Sequence, residues 1–185
     1  MFPVKHPEDL ARFVDLLKDH GVALGLVGFP PSQAEQEVDR SLALQDFVEG
    51  ITLLDVGSGA GLPGIPLGIA RGEITLVEPK RKALGFLEKA ARELTCKISI
   101  HPYRAEELVG SVEADTVVAR ALAPPSKALS LCAPLATRRV VLTARADSRL
   151  PEERLWKPLG FVKAEAVVGV GPDGAEQRAL VFDRA

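Results

Sequence analysis

The stretch Leu53-Leu54-Asp55-Val56-Gly57-Ser58-Gly59-Ala60-Gly61-Leu62-Pro63-Gly64 constrains this chain more than any other. A short apolar run predicts a buried strand, and the glycines after it predict a sharp turn where the chain leaves that strand. Pro63 and Pro66 then suit the first turn of a helix, where a missing N–H costs little. Glycines where a strand turns into a helix let a ligand approach the backbone closely. The dinucleotide spacing G-x-G-x-x-G would need glycine at position 62, which is Leu62. The spacing is instead G-x-G-x-G, with Asp55 two residues before it.

Charge separates the ligands such a loop could take. A carboxylate at position 55 repels a pyrophosphate and attracts the ammonium and sulfonium of S-adenosylmethionine. A second acid, Glu78, closes the next apolar run at a distance that suits a carboxylate accepting ribose hydroxyls. Asp55, Gly57, Ser58, Gly59, Gly61 and Glu78 are therefore the candidate cofactor-binding residues. The alternative is a structural glycine turn with a solvated acid at each strand end.

The flanking pattern supplies the architecture. Residues 7–20 carry apolar positions at helical spacing, with Gly21 as a stop. A second helix is expected over 32–48, opened by a capping box of Ser32 and Glu35. Strands are expected at 51–56, 74–78, 97–101, 114–119 and 139–143, alternating with helices that end near Arg71 or span 80–94 and 124–136. After a helix at 151–159, residues 161–170 and 178–182 form a hairpin around Gly171-Pro172-Asp173-Gly174. Alternation of this kind implies a mostly parallel sheet covered on both faces. The expected fold is α/β, Rossmann-like: the class I S-adenosylmethionine-dependent methyltransferase fold, seven-stranded and mostly parallel, with a terminal antiparallel hairpin. Residues 1–49 form a helical N-terminal extension and 50–185 the methyltransferase domain.

Composition narrows the rest. A formal net charge of -2 excludes a chain held to nucleic acid by bulk charge alone. Cys96 and Cys132 stand apart from each other and from any histidine at ligand spacing, so both read as buried small apolar residues and no metal site is expected. His6, His20 and His101 are expected at the surface or at strand ends. Lys80-Arg81-Lys82, the one compact basic run, is expected to be a solvated helix face, with RNA phosphate contact as the alternative. Asp39 and Arg40 read as ordinary helix surface. Without an apolar signal core or a bilayer-length apolar run, the protein is expected to be cytoplasmic, free of membrane and monomeric.

With these residues in place, the sequence resembles the GidB/RsmG family, the 16S rRNA (guanine-N7)-methyltransferases. The string from Asp55 to Leu67 carries the resemblance. Lys82 with Phe86-Leu87, Arg104-Ala105-Glu106-Glu107-Leu108 and Ala119-Arg120-Ala121-Leu122-Ala123 follow in order, so that it spans residues 41–142. The resemblance implies S-adenosylmethionine as donor and 16S rRNA or the small ribosomal subunit as partner. It places Ala105 and Glu106 beside the adenine ring and makes Arg120 the catalytic candidate, touching RNA or the methionine end of the cofactor. The alternative for Arg120, at the end of a buried strand, is a structural ion pair. Two departures stand out. The family's Arg-His pair before Asp-Ser is replaced by Gln36-Glu37-Val38-Asp39-Arg40-Ser41, and its Leu-Lys-Gly after the fifth strand by Leu142-Thr143-Ala144-Arg145. Methylation of guanine N7 is the leading expectation. A methyltransferase acting on a small molecule or protein, and a non-catalytic S-adenosylmethionine-binding module, are the alternatives.

Overall fold

Each apolar run becomes a strand of one sheet because both of its faces can be covered. The computed structural model of the chain describes residues 5–185. Seven strands lie in the order β3-β2-β1-β4-β5-β7-β6: β1 Leu53–Val56, β2 Glu73–Val77, β3 Lys97–His101, β4 Ala114–Ala119, β5 Ala136–Thr143, β6 Phe161–Val170 and β7 Glu176–Arg184. β1 to β5 pair in parallel, whereas β7 runs antiparallel to both β5 and β6. β1 is buried along its whole length between β2 and β4.

Side chains alternate across a strand, and the core follows that alternation. Leu53 faces one cluster with Ile74, Leu76 and Val118; Leu54 and Val56 face the other with Val77 and Val117. Helices α1 Pro7–Leu16, α2 Ala34–Leu42, α3 Gly64–Arg71 and α4 Arg81–Glu93 cover the first face. Helix α5 Pro125–Cys132 and the short α6 Glu153–Trp156 cover the second. Cys96 and Cys132 are buried free thiols, as the sequence implies, and burial pushes the Cys96 thiol up to about 12.

Several local expectations are corrected. The first helix keeps its expected extent, but its last turn, Leu17–Gly21, is π-helical. Instead of one helix over 32–48 there is a 3₁₀ turn Pro31–Gln33, α2, and a second 3₁₀ turn Gln45–Phe47. The capping box is absent: Gln33 occupies the cap position with no side-chain bond, and Glu35 pairs with Lys18 instead. The helix expected over 151–159 is one turn of α-helix, Glu153–Trp156, with a 3₁₀ turn beyond it.

Asp39 is not surface. It is buried, and its carboxylate accepts the N–H groups of Asp173 and Ala175 at 2.9 Å each, which fastens α2 to the β6–β7 turn. Asp9 plays the same part for α1. Its buried carboxylate accepts the N–H groups of Thr95 and Cys96 at 2.8 and 3.0 Å, where the chain enters β3. Both tethers depend on pairings more than 80 residues apart, which local sequence pattern does not encode.

Candidate active site

The glycine loop leaves β1 at its carboxyl end, as its composition demands. Gly57, Gly59 and Gly61 all have positive φ, 73°, 54° and 80°. The N–H groups of Gly57 and Ser58 donate to the Val77 carbonyl, which ties the loop to the end of β2. At Gly64 a Cβ would lie 2.5 Å from Asp55 Oδ2, so only glycine lets the helix N-terminus close on that carboxylate. A Cβ on Gly59, by contrast, would meet only the Gly57 carbonyl at 4.0 Å. Open space therefore lies in front of Gly59.

Both acids are buried rather than solvated. Asp55 is 0% exposed; its Oδ2 accepts the Gly64 N–H at 3.1 Å, and its Oδ1 has no partner among the described residues. Burial pushes its pKa up to about 7, against the lowering effect of the Gly64 N–H on its carboxyl. Glu78 accepts the Gly59 N–H at 2.8 Å through Oε2 and the Lys80 N–H at 2.9 Å through Oε1. Each Glu78 oxygen thus spends one lone pair on backbone and keeps another. A buried carboxylate oxygen without a donor, beside a glycine cradle, fits a cation-bearing nucleoside cofactor of the S-adenosylmethionine type. Ala105 and Glu106 open a 3₁₀ turn, Ala105–Leu108; Ala105 is buried in the cluster holding Val56 and Val77, and Glu106 is exposed.

Arg120 follows β4 at the same edge of the sheet, and Ala121 after it is the one non-glycine residue with positive φ among the described residues. Arg120 is ion-paired: its guanidinium donates to Glu37, a buried residue of α2. The ion pair given above as the alternative is therefore present. Beside Arg120 opens a cleft of about 920 Å³ over the ends of β4 and β5, lined among others by Leu122, Ser126, Thr143, Arg145 and Arg149. Leu122 stands between cleft and loop, its Cδ1 2.7 Å from where a Cβ on Gly57 would sit. Lys80, Arg81 and Lys82 are exposed, as expected for a solvated face. His20 is exposed, and His6 and His101 are partly so. The sequence did not single out Glu37 as a partner of Arg120, nor Leu122 as the cover over Gly57.

The strand order, the glycine loop at the end of β1 and the acid after β2 define a class I S-adenosylmethionine-dependent methyltransferase fold. Solved structures agree. The chain is similar to magnesium protoporphyrin IX methyltransferase from Synechocystis PCC 6803, crystallised with bound SAM, with a TM-score of 0.63, 20% identity, and coverage of 96% of this chain and 97% of that one. It is likewise similar to a putative RNA methyltransferase from Pyrococcus horikoshii, with a TM-score of 0.58, 19% identity, and coverage of 97% and 100%.

Residues 6–165 match GidB, described as rRNA small subunit methyltransferase G, and the chain belongs to that family. It is 34% identical to the ribosomal RNA small subunit methyltransferase G of Kineococcus radiotolerans, over 92% of this chain and 72% of the relative. The Arthrobacter sp. protein of the same name is 33% identical over 92% and 83%. The Nocardioides sp. protein of the same name is 39% identical over 77% of this chain and 59% of the relative.

Proposed function

We propose that the chain transfers a methyl group from S-adenosylmethionine to small-subunit rRNA, with guanine N7 as the acceptor atom. The observation that carries this is the unpartnered Asp55 oxygen beside the Gly57–Gly59–Gly61 loop, in a chain of the rRNA small subunit methyltransferase G family. S-adenosylmethionine supplies an electrophilic methyl on a sulfonium. Asp55 then faces the cofactor's positive charge, Glu78 accepts its ribose hydroxyls with the lone pairs left over from Gly59 and Lys80, and the turn at Ala105 and Glu106 borders its adenine. Gly57, Ser58, Gly59 and Gly61 let it approach the backbone.

Guanine N7 has an in-plane lone pair and no proton, so no general base is required. The chain's task is to align donor and acceptor and to exclude water, which supplies on the order of 7–11 kcal/mol of a barrier. The cleft between Arg120 and Arg149 admits the acceptor nucleotide, with Leu122 at its inner wall. Residues 50–185 form the transferase unit, and the segment 1–49 contributes the carboxylate that anchors Arg120.

Two measurements test this. Calorimetric titration with S-adenosylmethionine and with NAD should show binding of the first alone, without added metal; binding of NAD alone overturns the cofactor assignment. Labelled S-adenosylmethionine should transfer its methyl to small subunits from a strain lacking the endogenous enzyme. Binding of cofactor with no label on subunits or naked 16S rRNA overturns the acceptor.

A further inference from the structure

Glu37 is the one buried carboxylate among the described residues that meets two arginines. Its Oε1 accepts from Arg40 Nη1 at 2.6 Å, and its Oε2 accepts from Arg120 Nη2. Arg40 lies one helical turn beyond Glu37, so α2 itself brings the two together. Arg120 arrives from the end of β4, on the other side. The carboxylate is a fixed point: its side chain is 5% exposed, and the bonds of Asp39 to Asp173 and Ala175 tie α2 to the β6–β7 turn. Burial alone would raise the pKa of Glu37. The hydrogen bonds and charges of Arg120 and Arg40 more than offset this and hold it below the usual carboxylate value, so it stays ionised.

Burying an ion triad is a poor way to gain stability, because desolvation cancels most of the attraction. What the triad gains is orientation. Each guanidinium has five N–H donors, and Glu37 uses one on each. No other acceptor among the described residues takes a hydrogen bond from either guanidinium. Arg120 is 27% exposed and lines the cleft, and Arg40 is 38% exposed. Two planar forks, each fixed to one oxygen of the same carboxylate, carry with it a net charge of +1 and leave most of their donors free.

We propose that Arg40 and Arg120 form a clamp for a phosphodiester of the acceptor RNA strand, with Glu37 as its positioning residue. This rests on the rRNA reading above and adds to it the residues that hold the strand. Guanidinium forks match the oxygens of a phosphodiester bidentately, which an ammonium cannot do. Because Arg120 lines the cleft and Arg40 does not, a strand held by both forks runs from the cleft toward α2.

The test is binding of small subunits from a methylation-deficient strain, and of a 16S rRNA fragment, over a range of salt. Arg40→Ala should weaken RNA binding about tenfold, make the slope of log K against log salt shallower by roughly 0.7, and leave S-adenosylmethionine affinity unchanged. Arg40→Lys should restore only part of the loss. Glu37→Gln is decisive because two accounts give opposite signs. It removes a negative charge, so bulk attraction alone predicts tighter RNA binding, whereas loss of the shared anchor predicts weaker binding. Equal or tighter binding by Glu37→Gln overturns the clamp, as does unchanged binding by Arg40→Ala. Should Glu37→Gln fail to fold, Arg40→Ala decides alone, since Arg40 is a partly exposed helix residue. An unmutated chain that binds neither subunits nor fragment overturns the rRNA reading itself. An unmutated chain that binds while the variants match it overturns the clamp alone.

Discussion

The two halves of the candidate site are built from different material. At the end of β1 the contacts are made by backbone: N–H groups of Gly57, Ser58, Gly59 and Gly64, held by Val77, Glu78 and Asp55. At the end of β4 they are made by side chains, and Glu37 reaches Arg120 from 83 residues away. The first half is dense and buried; the second opens into a cleft of about 920 Å³. A backbone-built half needs glycine at fixed positions and tolerates no alternative, so its sequence is a signature. A side-chain-built half can be assembled from several directions, so its parts are scattered along the chain.

The sharpest way to break that contrast is Asp55. A protonated carboxyl costs little in a dry site, and a charged one costs much. With a folded pKa near 7 against an ordinary 3.8, the native chain holds a proton between those values that the unfolded chain has released. Stability therefore falls as pH rises from about 4 to about 7, by on the order of 4 kcal/mol. Asp55→Asn should abolish this slope, melt above the unmutated chain at pH 8, and gain little from added S-adenosylmethionine. Thermal melts at pH 5 and 8, with and without cofactor, read all three. A variant that keeps the slope shows that Asp55 does not carry it.

Glu78→Ala comes next. Hydrogen bonds to a charged acceptor are worth roughly 1.5–3 kcal/mol, so cofactor affinity should drop between about tenfold and a hundredfold. Calorimetric titration of a folded variant checks it, and an unchanged Kd would return Glu78 to a structural role in holding Gly59. Gly64→Ala should cost about 1–3 kcal/mol of stability, since its Cβ would overlap both Asp55 and Leu76. Denaturant melts measure it. The smallest effect is expected on the side-chain-built half: Ala121→Gly relieves a positive φ of 50° and should stabilise the chain by at most about 1 kcal/mol. If Gly64→Ala is as mild as Ala121→Gly, the first half is no more rigid than the second.

How much of this was legible follows the same division. The strands, the mostly parallel sheet, the terminal hairpin and the glycine loop could be read from Leu53–Gly64 and the alternating runs, because each is fixed by local period and backbone geometry. The helices bordering the loop, α3 and α4, came out within a residue or two of their expected ends. The segment before β1 did not. Asp39 looked like helix surface because its partners, Asp173 and Ala175, lie at the far end of the chain. Glu37 looked like the loss of a basic pair, whereas in space it gathers Arg40 and Arg120. Ser32 and Glu35 had the spacing of a capping box, but tertiary contact drew Glu35 to Lys18. Pattern reports what a residue does to its own turn, and these residues act elsewhere.

The insertion of β7 between β5 and β6 sets an order of events during synthesis. Among the described residues β6 pairs with no strand except β7, so when it leaves the ribosome it has no strand to pair with. Until the strand that begins at Glu176 has followed it, β5 remains an open edge carrying Val140, Val141 and Leu142. An unpaired apolar edge of this kind recruits other chains. A pause in translation between the two hairpin strands is thus the moment of greatest exposure to misassembly, and the short turn at Gly171-Pro172-Asp173-Gly174 keeps that moment brief.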